Sequence, residues 1–268
     1  ADMHSDVGGF AGTNLDDNLY ARWLQYGVFQ PIYRPHAHED VASEPVFRAE
    51  KAKKLAKKAI ELRYRMLPYN YNLMYENHTK GKPLMRPLFF EEPENQDLYE
   101  YAEAYLWGND ILVAPILKDS IFEKEVYFPK GSNWFDFYTD AKHEGGKSAT
   151  VKVSEAYIPT FVRGGAIIPM ARLNQSTSSF NRDDLEFRYF FDSSVSESEQ
   201  TLYMDENDVD AIEKGAYEIL EIESEFQKRN LEFEFEFEKQ FSKQYSPIIK
   251  IVSGKKSIKL IIHNIKES

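Results

Sequence analysis

The segment Leu231-Glu232-Phe233-Glu234-Phe235-Glu236-Phe237-Glu238 leaves less conformational choice than any other in this sequence. Successive side chains of a strand point to opposite faces, so strict apolar and acidic alternation resolves into one apolar face and one acidic face when the backbone is extended. The pattern predicts a half-buried strand and a sheet around it. Ile248-Ile249-Lys250-Ile251-Val252 and Ile258-Lys259-Leu260-Ile261-Ile262 read as later strands of the same all-β unit.

Two other regimes precede it. Up to about residue 95, Gly, Pro and Asn clusters alternate with amphipathic helical stretches, which is the style of βα units. Asp16 or Asp17 is expected to cap a helix through Trp23 and Tyr26. Glu44-Pro45 is expected to open a longer helix towards Met74, kinked at Pro68. From about residue 96 to 175 the runs shorten to Ile111-Leu112-Val113-Ala114, Glu125-Val126-Tyr127-Phe128 and Tyr157-Ile158-Pro159-Thr160-Phe161-Val162. Breaks at Pro129-Lys130-Gly131, Gly145-Gly146 and Gly164-Gly165 suit a small antiparallel sandwich. The polar link Asn174-Gln175-Ser176-Thr177-Ser178-Ser179 then leads into the third regime. The expected division is therefore 1–95, 96–175 and 176–268, with no solenoid repeat.

Charge and composition exclude several functions. Lys+Arg 33 against Asp+Glu 44 gives a net charge of -11, so no nucleic-acid partner is expected. The run Lys51-Ala52-Lys53-Lys54-Leu55-Ala56-Lys57-Lys58 reads as a solvated helix face. No stretch approaches the roughly 18 uninterrupted apolar residues of a spanning helix, so no membrane partner is expected either. With Cys 0 there is no thiol chemistry and no clue to redox compartment. Localisation stays open, a periplasmic or secreted setting being favoured over the cytoplasm. The acidic stretch Asp205-Glu206-Asn207-Asp208-Val209-Asp210 fails the EF-hand register at Val209, so it reads as a solvated hairpin loop and no metal is assigned. An aromatic fraction of 15% suits sugar faces, but most such rings in any globular protein simply pack.

Two segments carry candidate chemistry. Ser5-Asp6-Val7-Gly8-Gly9-Phe10 places an acid before a glycine pair that can take positive φ and let backbone approach a ligand. It is equally a structural turn with a capping Asp, and residue type alone leaves both open. Further on, Arg22-Trp23-Leu24-Gln25-Tyr26-Gly27-Val28-Phe29-Gln30-Pro31-Ile32-Tyr33-Arg34-Pro35-His36 joins an amphipathic helix to a strand ending in Arg, Pro and His. His36 is either a satisfied structural histidine or a ligand contact.

Together with Arg63-Tyr64-Arg65-Met66-Leu67-Pro68-Tyr69, Gly81-Lys82-Pro83-Leu84-Met85-Arg86-Pro87-Leu88-Phe89-Phe90, Trp107-Gly108-Asn109-Asp110-Ile111-Leu112-Val113-Ala114-Pro115-Ile116 and Pro159-Thr160-Phe161-Val162-Arg163-Gly164-Gly165-Ala166-Ile167-Ile168-Pro169, these segments resemble glycoside hydrolase family 31 in order and spacing. The resemblance spans about residues 1 to 170 and thins afterwards to Thr201-Leu202-Tyr203-Met204-Asp205 and Gly215-Ala216-Tyr217.

The resemblance implies an α/β plus all-β fold: the last two βα units of a (β/α)8 barrel, then proximal and distal β-sandwich domains. It implies an exo-acting, retaining α-glycosidase acting on terminal α-glucosidic bonds of oligosaccharides, with no cofactor. Related activities are an oligosaccharide 4-α-glucosyltransferase and an α-xylosidase; a non-catalytic carbohydrate-binding module is the rival of another class. Asp6, Phe10, Arg34 and His36 match positions around the innermost sugar subsite, where Asp6 and His36 would hydrogen-bond hydroxyls and Phe10 would shape the wall. The family's two carboxylates, about 5 Å apart in retaining enzymes, lie on earlier strands. Neither its Trp-x-Asp-Met-Asn-Glu pattern nor its Gly-Asp pattern occurs here, so no residue of this chain is assigned a catalytic role. The partners expected are an α-linked oligosaccharide and the N-terminal remainder of the same enzyme. The start at Ala1 reads as a chain cut mid-domain, expected to be inactive and aggregation-prone alone.

Overall fold

The structure is a computed structural model that describes residues 5–12, 16–118, 120–181, 185–206, 208–239, 248–252, 259–262 and 266–267. Asn207 of the acidic loop and Ile258 lie outside the described residues.

Three helices open the fold. Helix α1 (Asp17–Gly27) starts at Asp16, whose carboxylate accepts from the amides of Asn18 and Leu19 and so satisfies two of the four orphan N–H groups. It buries Tyr20, Ala21 and Leu24. The second helix differs from expectation. Glu44-Pro45 opens only a single 3-10 turn, Pro45–Phe47, and α2 (Glu50–Arg65) begins later. The reason is burial: the 3-10 turn buries nothing, whereas α2 sets Ala52, Ala56 and Ala59 into the core at helical spacing. Pro68 is more than a kink, because α2 ends and α3 (Leu67–Lys80) starts around Met66. A proline in the first turn of α3 loses no helical hydrogen bond there, while within a continuous helix its ring would strike the carbonyl of Tyr64. Helix α3 runs past Met74 to a left-handed Gly81 with φ 69.

The next strands are β1 (Met85–Arg86), β2 (Tyr105–Trp107), β3 (Ile111–Val113), β4 (Glu123–Phe128), β5 (Trp134–Asp136), β6 (Lys142–His143), β7 (Lys147–Lys152), β8 (Thr160–Arg163) and β9 (Ile167–Ala171). Six of them form an antiparallel sheet in the order β1-β2-β3-β8-β5-β6, and β4 pairs separately with β7. The sheet is buried on both faces. Trp107, Ile111, Val113, Phe135 and Val162 pack towards the helices, while Leu106, Leu112, Trp134 and Phe161 meet Val126, Phe128 and Val151 of the β4–β7 pair. Runs such as Ile111-Leu112-Val113 are continuously apolar for this reason. Helix α3 is tied to the sheet by the Tyr69 hydroxyl, which donates to the Trp107 carbonyl at 3.0 Å, and by the Trp107 indole, which donates to Asn70 at 2.8 Å. Each such buried bond contributes about 1 kcal/mol net.

Beyond β9 come β10 (Leu185–Phe190), β11 (Glu197–Asp205), the short α4 (Ala211–Lys214), β12 (Tyr217–Gln227), β13 (Asn230–Lys239), β14 (Ile248–Val252), β15 (Lys259–Ile262) and β16 (Lys266–Glu267). One sheet runs β14-β10-β9 and the other β11-β12-β13-β15, with β16 also paired to β13. Leu231, Phe233, Phe235 and Phe237 are all buried, as the alternation predicts. Their rings meet the opposite sheet, with Phe235 at 6.0 Å from Phe187 and Phe233 edge-on to Tyr189 at 5.0 Å. The glutamates line up on the outer face, Glu223 standing between Glu199 and Glu234 in register. In the acidic loop, Asp208 and Asp210 pair with Lys214 at 2.8 and 3.2 Å. No helix of the described residues is long and apolar enough to cross a membrane.

Candidate functional site

The two candidate segments meet through a single parallel β-bridge between Val7 and Pro35, reinforced by the His36 amide donating to the Val7 carbonyl at 3.4 Å. Helix α1 connects them, but the bridge is isolated: the strand expected to end in Arg34, Pro35 and His36 does not form among the described residues, because the two segments pair at this one position only. Val7 packs into the core under α1, and Tyr33, partly buried, packs against the same core. Burial alternates along the second segment, where Tyr33 and Pro35 are half-buried. Arg34 and His36 are exposed, Asp6 is half-buried and Phe10 is 45% exposed. Among the described residues no side-chain hydrogen bond ties up Asp6, Arg34 or His36.

The glycine pair makes the turn. Gly8 and Gly9 have φ 98 and 100, and the Gly9 amide closes onto the Asp6 carbonyl at 3.1 Å. A Cβ at Gly8 would stand 2.6 Å from the Tyr20 ring, so the turn lies directly on α1. Phe10 then returns over the second segment, its ring 5.8 Å from that of His36 and 6.2 Å, edge-on, from that of His38. The structure thus brings Phe10 and His36 into contact and links the Asp6 turn to the His36 backbone.

Three supports were missed in the sequence reading. His38 donates its amide to the Phe10 carbonyl at 2.8 Å, and its Nδ1 lies 3.2 Å from the Asp40 carboxylate. Its position two residues after His36 was the available signal, since period two keeps both on one face. Arg63 of α2 donates to the carbonyls of Val28, Gln30 and Pro31 at 2.6–2.8 Å, clamping the turn that enters the second segment. Burial pushes this guanidinium down to about 10, still charged at neutral pH. Nothing local in the sequence marks that clamp. The third is Ser5, which accepts from the Trp23 indole at 2.9 Å and fixes the residue before Asp6 against α1. The two segments carry a carboxylate, an imidazole, a guanidinium and an aromatic face, of which the described contacts bring together the rings of Phe10, His36 and His38 and leave the Asp6 and Arg34 side chains without a contact to them.

Comparison with known proteins adds the following. Residues 3–73 match the profile for the glycosyl hydrolases family 31 TIM-barrel domain, and residues 81–168 that for the glycosyl hydrolase family 31 C-terminal domain. The chain is 35% identical over 227 residues to alpha-glucosidase 2 of Bacillus thermoamyloliquefaciens, covering 84% of this chain and 28% of that protein. It is 34% identical over 256 residues to the alpha-xylosidase of Saccharolobus solfataricus, covering 94% and 34%. A dextranase of Flavobacterium johnsoniae, solved with glucose, superposes with TM-score 0.76 at 31% identity over 84% of this chain and 28% of its own. The chain thus spans about a third or less of the length of these relatives.

Proposed function

The chain belongs to glycosyl hydrolase family 31, as a fragment of its TIM-barrel domain followed by its C-terminal domain, and from this we propose that it is part of an exo-acting, retaining α-glycosidase hydrolysing terminal α-glucosidic bonds of oligosaccharides. In this reading residues 1–95 are the last two βα units of a (β/α)8 barrel, 96–175 a proximal β-sandwich and 176–268 a distal one. Sites in such barrels lie on the loops after the strands, and this reading assigns Asp6, Phe10, Arg34 and His36 to those loops.

The observation that carries the reading is the Val7–Pro35 parallel bridge, because it sets the Asp6 turn and the His36 backbone side by side. Asp6 accepts from and His36 pairs with sugar hydroxyls, Arg34 adds charge-assisted donors, and Phe10 walls the pocket. A site built to pair hydroxyls rejects a ligand lacking them by far more than an apolar slot does. The nucleophile and the acid/base belong to the remainder of the same enzyme, which makes this chain the recognition wall of the pocket.

Incubating the intact enzyme with maltotriose tests it. Glucose and maltose alone are the expected products, and loss of cleavage in Asp6→Asn and His36→Ala variants would tie the activity to this cluster. Oligosaccharides longer than the substrate would instead assign transfer to sugar. Binding without turnover would favour a carbohydrate-binding module. The 34% identity to an alpha-xylosidase over 94% of the chain supports a second reading, α-xyloside cleavage. A comparison of 4-nitrophenyl α-glucoside and α-xyloside as substrates separates the two.

A further inference from the structure

A second aromatic cluster, sharing no residue with the Asp6 and His36 segments, lies where α3 meets β11. Tyr71 is 44% exposed, and its hydroxyl donates to Asp205 Oδ2 at 2.6 Å. The Tyr203 hydroxyl donates to the same oxygen at 2.8 Å. The Tyr71 and Tyr203 rings stand 5.7 Å apart at 52°, and Tyr203 is backed by a parallel stack on Tyr75 at 4.3 Å. These rings are held in place: the Tyr203 amide donates to Asn72 of α3 at 3.0 Å, and the stack fixes the ring plane. Beside Tyr71 opens a cavity of about 150 Å³, walled by Leu67, Pro68, Phe180, Leu185 and Tyr203 and ending at Asp205. Phe180 is 36% exposed.

An apolar, aromatic-walled cavity with a few convergent polar groups at one end is the usual form of a small-ligand site. A pyranose suits this one. Its C–H face can lie on an aromatic ring, while its hydroxyls reach the polar end, where the Tyr71 oxygen keeps acceptor lone pairs after donating to Asp205. Burial, with the Asp205 carboxylate beside it, holds the Tyr71 hydroxyl well above the usual phenol range, so it remains a donor throughout the physiological range.

Resting on the saccharide reading above for ligand class, we propose that this cavity is an accessory binding site for one sugar unit of an α-linked gluco-oligosaccharide, with Tyr71 as the stacking face and the Tyr71–Asp205 pair as the polar anchor. It gives the protein a hold on an oligosaccharide that does not pass through Asp6 or His36.

Thio-linked maltotriose, which resists cleavage, is titrated calorimetrically into the intact protein and its Tyr71→Ala, Tyr71→Phe and His36→Ala variants. The expected result is a binding event that survives His36→Ala, weakens about tenfold in Tyr71→Ala and is largely kept in Tyr71→Phe, which preserves the ring. The proposal is overturned if the event that survives His36→Ala is not weakened by Tyr71→Ala, or if no event remains in His36→Ala. Maltotriose cleavage by the Tyr71→Ala protein is read separately: cleavage with no accessory event retires this site alone, whereas absence of cleavage in the unmodified enzyme counts against the glycosidase reading.

Discussion

His38 holds Phe10 from two sides: its amide donates to the Phe10 carbonyl at 2.8 Å, and its ring meets the Phe10 ring edge-on at 6.2 Å. The backbone bond survives substitution of the side chain, but the ring contact does not. Asp40 meets the imidazole at Nδ1, with its carboxylate at 3.2 Å and its amide at 3.4 Å.

Loss of that ring should therefore loosen Phe10 in its proposed place at the pocket wall, without touching the reacting atoms. An aromatic contact of this kind contributes roughly 0.5–1.5 kcal/mol, which corresponds to about a two- to tenfold effect. In the intact enzyme, His38→Ala is expected to raise KM for maltose by about that factor with kcat little changed, and His38→Phe to restore most of it. Steady-state kinetics decide; a fall in kcat at constant KM would show that His38 does something other than position Phe10.

At Gly8 the φ of 98 and a Cβ position 2.6 Å from the buried Tyr20 ring both oppose any side chain. Tyr20 cannot simply swing away, since its hydroxyl donates to the Ser43 carbonyl at 2.8 Å. Gly8→Ala is expected to cost about 2 kcal/mol or more, read as a lower melting temperature with maltotriose binding weakened in parallel. Gly12→Ala, where the Cβ would meet nothing within 4 Å, serves as the comparison for the φ effect alone.

The acidic face of the β11-β12-β13-β15 sheet sets Glu223 directly between Glu199 and Glu234. Like charges opposite one another across strands destabilise a sheet. Glu223→Lys converts two repulsive pairs into attractive ones and is expected to stabilise the protein by up to about 1 kcal/mol. Thermal melts should show the gap between variant and parent narrowing at about 0.5 M salt, because exposed charges are screened. An unchanged or lowered melting temperature in Glu223→Lys would show that cross-strand repulsion is not limiting there.

Asp192 is 2% exposed and accepts from the backbone amides of Asn133 and Ser194, both at 3.1 Å, and from the Asn133 side chain. Burial pushes its carboxyl up, but the donors from Asn133 and Ser194 outweigh burial and hold it below the usual carboxylate range. A depressed folded-state pKa contributes stability that is fully present above the unfolded value and is lost as pH falls through the folded one. Asp192→Asn should therefore be destabilising by about 1–3 kcal/mol at pH 7, with the deficit shrinking as pH is lowered below about 4. Denaturant unfolding across that pH range measures it; a deficit independent of pH would remove the carboxylate from the account.

Much of the fold was legible in the chain because its signals are local. Alternation at Leu231–Phe237 specified a strand and its buried face, and the glycine breaks at Gly131, Gly146 and Gly165 mark turns in which all three have positive φ. The start of α2 was not legible, since Glu44-Pro45 has the local form of a helix opening, yet Val46 and Phe47 stay 65% and 67% exposed and bury too little to extend it. Asp16 rather than Asp17 became the cap, and the Asp17 carboxylate instead accepts from the distant Ala49 amide at 3.2 Å.

The candidate site divides the same way. Residue type and order at Asp6, Phe10, Arg34 and His36 pointed to the segments involved, but not to their juxtaposition. That was decided by the parallel bridge between Val7 and Pro35, 28 residues apart in the chain, by the Arg63 clamp on Val28, Gln30 and Pro31, and by the His38 contacts with Phe10. Periodicity in a sequence fixes which way side chains point along one element, because that is set by the backbone repeat. Which elements lie side by side is set by long-range burial and hydrogen bonding, which no local repeat encodes, and so only the tertiary structure decided it.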